Sequence, residues 1–251
     1  MKKFILFVIF ISFIFIGEGR AQAPKELYVK ANASYENEDY EKAASLYENL
    51  IKADKVSAEV FYNLGNSYFK SKKIGKAIVN YKRALRLAPR DRDARGNLSL
   101  ARSMTVDKID RPDKGFLIKI ILLPYATMNI NHLTILVSLL YLAIVTLLAV
   151  SIFFAAKRKV LFYTVWVFAA ALIISSIFLA AKIHGENSIK HAVVISEKVD
   201  VRSGPKEDYL LQFTLHEGAE VRLVKESQGW YEIYLSKDLR GWLPKDSVEA
   251  I

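Results

Sequence analysis

The chain has 251 residues, 52% of them apolar, with 36 Lys and Arg against 26 Asp and Glu and no cysteine. That length holds about one or two domains, and the lack of cysteine excludes a disulfide scaffold, a thiolate metal site, an iron–sulfur cluster and a cysteine nucleophile. Apolar residues concentrate in residues 4–16, 133–156 and 160–181; outside them the composition falls to about 42% apolar, as in soluble domains. The fold class this implies is a multi-domain membrane protein.

Residues 1–21 have the plan of a secretory signal peptide: Lys2 and Lys3, an apolar run, then the small residues around Ala21 and Ala23. A run of 13 residues makes a helix of about 20 Å, short of the roughly 30 Å hydrocarbon core. Cleavage after Ala21 is the expectation, with an uncleaved anchor as the alternative.

Residues 58–91 carry the 34-residue tetratricopeptide pattern: Phe61, Leu64, Gly65 and Tyr68, then Ala77, Tyr81, Ala84 and Pro89. Gly65 and Ala77 are small where two helices cross, Leu64, Tyr68 and Tyr81 fill the seam, and Pro89 stops the second helix. A divergent copy precedes it at residues 24–57, with Leu27, Ala31, Tyr35, Tyr40, Ala43 and Tyr47 in place. Residues 92–114 are expected to supply a capping helix and a linker, with Asp91 or Asp93 at the helix start and Leu98 and Ala101 on its buried face. Repeat positions 5, 9 and 12 of each first helix should line a shallow groove: Tyr28, Asn32 and Tyr35, then Tyr62, Asn66 and Phe69. Lys70, opposite Glu36 in the other repeat, makes the groove electrically asymmetric. Paired asparagines suit an extended peptide, each amide serving one backbone donor and one acceptor, while the aromatics add apolar area. The alternative is that these are merely common residues of the repeat.

Residues 116–128 are apolar but carry Lys119 and Pro124 and are too short to cross a bilayer. They read as an interfacial segment or as buried residues of the preceding domain. Residues 133–156 and 160–181 hold no charge over 24 and 22 positions, so each can span a membrane. Between them residues 157–159, Lys-Arg-Lys, form a loop that the positive-inside rule assigns to the cytoplasm. Parity then puts both soluble parts on the periplasmic side of the inner membrane. Neither span holds an ionisable residue, which argues against a pump or channel.

Residues 192–251 change to short alternating runs separated by turns at Gly204-Pro205, Gly218, Gly229 and Ser236, the pattern of five or six strands in a closed or nearly closed barrel. Trp230 and Trp242 follow glycines at strand starts; they read as core residues or as a ligand face.

Charge is uneven. Residues 24–57 carry 5 basic and 7 acidic side chains, residues 58–102 carry 11 and 3, and residues 192–251 carry 8 and 11. The basic excess between Lys70 and Arg95 fits nucleic acid, an acidic partner, lipid head groups or a solvated face; the expected topology disfavours nucleic acid. No phosphate loop, GxSxG or HExxH occurs, and His132, His184, His191 and His216 have no partner at metal or triad spacing. Asp107, Asp110 and Asp113 recur at three-residue spacing, but Pro112 breaks any helix there. The expectation is no enzyme, no metal and no cofactor.

Val199-Asp200-Val201-Arg202-Ser203-Gly204-Pro205, with Gly229-Trp230-Tyr231 and Gly241-Trp242-Leu243, resembles a bacterial SH3-type domain, which implies binding of cell-wall peptides or proteins. The whole order, with Asn63-Leu64-Gly65-Asn66-Ser67-Tyr68-Phe69, Gly75-Lys76-Ala77-Ile78, Asn80-Tyr81-Lys82-Arg83-Ala84-Leu85-Arg86-Leu87 and Asn97-Leu98, resembles the BatE family of the Bacteroides aerotolerance operon. That resemblance implies an adaptor in a cell-envelope complex linked to oxidative stress tolerance, with von Willebrand A domain membrane proteins and a MoxR-type ATPase as partners. The sequence supports a scaffold of this kind or, alternatively, a peptidoglycan-binding sensor signalling through its spans.

Overall fold

A computed structural model describes residues 18–108, 115–153, 158–188, 190–235 and 239–251. The apolar run expected to belong to a signal peptide lies outside these residues, as do Asp110 and Asp113.

Five helices come first: α1 Glu18–Glu36, α2 Tyr40–Lys52, α3 Ala58–Lys70, α4 Ile74–Leu87 and α5 Arg92–Ser103. Their starts are chemically marked. Asp39 accepts from the Lys42 amide, Ser57 from Val60, and Asp91 from Asp93 and Ala94. Asp91 is therefore the cap of α5, with Asp93 inside the first turn. The turns within the two helical pairs are the same: Glu38 and Lys72 both take positive φ (62° and 61°), and the amides of Asp39 and Lys73 return to Ser34 and Tyr68 at 2.9 Å.

Small residues let the helices approach. Ala31, Ala43, Ala77 and Ala84 are fully buried, and a Cβ on Gly65 would lie 2.7 Å from the Tyr81 ring. Tyr47, Leu50, Leu64, Ile78 and Tyr81 fill the seams, and Leu98 and Ala101 of α5 close the stack.

Residues 116–127 form two short helices, α6 Phe116–Ile121 and α7 Leu123–Thr127. Phe116 and Leu117 are 75% and 73% exposed, which excludes burial in the preceding domain. Two helices apolar and long enough to cross a membrane follow, α8 Ile130–Phe153 and α9 Arg158–Ser188, packed side by side. Contrary to expectation, Arg158 and Lys159 sit in the first turn of α9 rather than in a loop, and α9 runs past residue 181. Its extension is anchored: Lys182 Nζ donates to the carbonyls of Tyr125 (2.8 Å) and Met128 and stacks on the Tyr125 ring.

The C-terminal part is a seven-stranded antiparallel sheet: β1 His191–Val194, β2 Lys198–Arg202, β3 Leu211–His216, β4 Glu220–Ser227, β5 Trp230–Tyr234, β6 Arg240–Pro244 and β7 Val248–Ala250, in the order β3-β2-β6-β5-β4-β1-β7. The expected barrel closure does not occur. β3 and β7 are edges, and β7 is only 3 residues long after a 3₁₀ turn. Val201, Leu215, Val221, Ile233 and Leu243 form the core on the inner face of the curved sheet.

Candidate binding groove and its docked sheet

The 34-residue period reappears as a hydrogen-bond pattern. Tyr47 donates to Asn32 Oδ1, and Tyr81 donates to Asn66 Oδ1 at 2.8 Å. Asn63 Nδ2 donates to the Tyr28 hydroxyl at 3.1 Å, and Asn97 Nδ2 to the Tyr62 hydroxyl at 3.2 Å. Asn97 also donates to Asn66 Oδ1 at 2.9 Å, and Tyr28 donates to Glu59 at 2.6 Å. Burial pushes the Tyr47 and Tyr81 phenols well above their usual range, so both stay protonated as donors. Burial, then the bond to Glu59, also raises the Tyr28 pKa.

These bonds hold two adjoining clefts of about 260 and 250 Å³. Tyr28, Asn32, Tyr35 and Asn66 line the first with Glu36 and Glu59; Tyr35, Tyr62, Asn66, Phe69 and Lys70 line the second. All seven residues singled out from the sequence thus lie along one surface, with Tyr35 and Asn66 shared by both clefts. Carboxylates flank the first cleft, and an ammonium flanks the second. Asn66 Oδ1 accepts from both Tyr81 and Asn97, whereas Asn32 Oδ1 accepts from Tyr47 and keeps a second lone pair.

Sequence reasoning missed Asn63, Asn97, Tyr47, Tyr81 and Glu59 as groove residues. The signal was present: Asn97 and Leu98 stand 34 residues after Asn63 and Leu64, and the caps Ser57 and Asp91 keep the same interval. By this register α5 is the first helix of a third, partial repeat.

The opposite face of the stack is covered by the sheet. β1 is buried on both sides: Ala192 and Val194 point into the sheet core while Val193 joins the helical core with Ile78 and Val79. Charge closes the seam. Glu220 accepts from Lys82 (2.8 Å) and from Arg102 (2.7 Å), and Arg83 pairs with Glu249 at 2.6 Å. His216 donates its amide to Asp107 at 2.7 Å and places Nδ1 3.1 Å from the same carboxylate. Part of the basic excess therefore meets an acidic partner within its own chain, and the Asp107 carboxylate serves this seam. At the start of α4 the Gly75 amide donates to Glu217 at 2.8 Å. Burial raises the Glu217 pKa, and that hydrogen bond partly offsets it.

Gly75 sets how closely the two parts fit, because a Cβ there would lie 2.4 Å from the Val194 carbonyl oxygen. Gly75→Ala is expected to loosen the seam by about 2 kcal/mol, the scale of overpacking a tight contact. Amide hydrogen exchange at Val193 should speed accordingly, while exchange at Leu64, inside the helical stack, stays unchanged.

Trp230 and Trp242 do not enter the core. In the β5–β6 register Trp230 faces Pro244 and Glu232 faces Trp242, whereas buried Ile233 and Leu243 take the alternate positions. The two indoles are therefore half-buried on the sheet's outer face on either side of Glu232.

Residues 58–91 match the tetratricopeptide repeat family. Comparison of the chain with curated proteins gives no match. The chain thus contains a tetratricopeptide repeat, a protein-interaction module that is typically non-catalytic, joined to two apolar helices that can span a membrane and to an antiparallel sheet.

Proposed function

We propose that the chain is a non-enzymatic inner-membrane scaffold that holds an extended protein segment in its tetratricopeptide groove. The observation that carries this reading is the pair of adjoining clefts, built twice from the same tyrosine–asparagine bonds and left open toward solvent. Side-chain amide donors suit a peptide's carbonyls, and aromatic walls suit its apolar side chains. The unequal flanks favour a segment with a basic residue over Glu36 and Glu59 and an acidic one beside Lys70.

In this reading α8 and α9 cross the bilayer, residues 157–159 lie in the cytoplasm, and both folded parts lie in the periplasm. The seam between the repeat and the sheet supports this placement, since it requires both on one side of the membrane. In the same reading the sheet acts as an SH3-type module, and the chain serves as a BatE-like adaptor of an aerotolerance complex that includes von Willebrand A domain proteins and a MoxR-type ATPase.

Affinity capture from membranes with the full chain, against a variant with Asn32, Asn66 and Lys70 changed to Ala, tests the groove. Partners should be lost about tenfold or more, the scale of a few deleted contacts. Identical partner sets would overturn the proposal. Phe69→Asp leaves every tyrosine–asparagine bond intact and serves if the triple variant fails to fold.

The half-buried pair Trp230 and Trp242 on the outer face of the sheet favours a second reading, a peptidoglycan-binding sensor. Co-sedimentation of the full chain with murein sacculi, abolished by changing both to Ala, would support it; no co-sedimentation would remove it.

A further inference from the structure

Where α4, α7, α9 and the sheet meet there is a separate cavity of about 410 Å³, outside the groove. Four basic side chains line it: Lys82 and Arg86 from α4, Lys182 from α9 and His191 from β1. No Asp or Glu among the described residues lines it. Its other polar wall is Tyr125, whose hydroxyl lies close enough to α9 that a Cβ on Gly185 would be 3.3 Å away.

The cations already have partners. Lys82 shares Glu220 with Arg102, Lys182 donates to the Tyr125 and Met128 carbonyls, and Arg86 makes a long 3.4 Å bond to the Ile251 carbonyl. The Arg86 guanidinium has five N–H donors, so beside that one long bond it can take further acceptors. Burial, then the adjacent Lys82 ammonium, holds His191 below its usual pKa, as expected in a cation-rich site.

We propose that this cavity binds a phosphoryl group. Basic side chains line it from three elements, which suits a tetrahedral anion with oxygens on several sides better than a planar carboxylate with two. Leu85, Pro89 and Ala126 give it apolar wall, and the exposed Leu123 and Ile183 lie on the same two helices as the lining residues Tyr125 and Lys182. The head group of an anionic phospholipid fits the cavity with its acyl chains along these helices, and a free phosphate-bearing solute would use the same cations. The lipid source rests on α8 and α9 spanning a bilayer; the solute source does not.

The test uses the full chain in nanodiscs of equal phosphatidylglycerol and phosphatidylcholine, with lipid retention on release read by native mass spectrometry. A second arm measures the unfolding temperature of detergent-solubilised protein in inorganic phosphate against chloride at matched ionic strength. Phosphatidylglycerol should be retained about tenfold over phosphatidylcholine, and Arg86→Glu, at an exposed position, should abolish the preference while Lys55→Glu, on the α2–α3 turn, keeps it. A lipid preference supports the phospholipid source, and a phosphate-specific shift sensitive to Arg86→Glu supports the solute. Neither effect, or effects that survive Arg86→Glu, would overturn the proposal.

Discussion

Glu220→Ala is expected to cost about 3 kcal/mol and to release the sheet from the helical stack before either part unfolds. The Glu220 side chain is only 15% exposed and neutralises two cations, Lys82 and Arg102, that belong to different helices. Burial by itself would raise its pKa, but the hydrogen bonds from Arg102 and Lys82 outweigh this and hold it at about 2. Against an ordinary value near 4.5, that depression corresponds to about 3 kcal/mol at neutral pH. Truncation also leaves two half-buried cations facing each other.

The sign of the pH dependence follows. A carboxylate whose folded pKa is depressed stabilises above its unfolded value, and the contribution disappears as pH falls from about 4.5 toward about 2. Glu217 runs the other way, because its pKa is raised and protonation relieves its burial. Exchange protection at Val193 should therefore fall between pH 5 and 3 in the native chain, by a net amount smaller than Glu220 alone would give. In Glu220→Ala the loss should be absent or reversed. An unchanged pH profile in that variant would show that the seam does not depend on this triad.

Tyr81→Ala is expected to cost about 4 kcal/mol, the scale for removing a buried aromatic ring. Tyr81 is 1% exposed, packs against Gly65 and bonds Asn66. Tyr81→Phe keeps the ring and deletes only the hydroxyl, so it should cost about 1 kcal/mol. Tyr47→Phe should behave in parallel, because Tyr47 and Asn32 make the same bond one repeat earlier. Thermal unfolding of the three variants measures the stability terms. Equal losses for Tyr81→Ala and Tyr81→Phe would mean that the hydroxyl, not the ring, holds the repeat together.

Much of this arrangement is legible in the sequence where one residue type answers one local demand. Gly65, Ala77 and Pro89 mark a helix crossing and a helix stop, and uncharged runs of over 20 residues mark the two apolar helices. The groove residues follow from the repeat register. The hydrogen-bond network is harder to read, because Asn63 and Asn97 act across repeats and their meaning depends on tyrosines 35 residues earlier.

The docking of the sheet on the stack was visible only indirectly. Ala192-Val193-Val194-Ile195 is a continuous apolar run, and a strand covered on one face alone would alternate. The complementary charge of the two parts pointed the same way, yet sequence spacing cannot bring Lys82 to Glu220 across 138 residues. Trp230 and Trp242 show a different limit: a glycine before each marks a strand start but not a face. Only the β5–β6 register puts them outside.

In the proposed topology α8 and α9 form a membrane hairpin that returns the chain to the side it left, where repeat and sheet meet. The chain lacks cysteine, so single substitutions Ser99→Cys, Lys206→Cys and Lys157→Cys each give one unique thiol. Labelling with a membrane-impermeant maleimide in cells with a permeabilised outer membrane and an intact inner membrane reads their sides directly. The account predicts that the thiols at positions 99 and 206 label at once and that the thiol at 157 labels only after the inner membrane is opened. Labelling of 157 from outside, or of 99 and 206 from opposite sides, would contradict it.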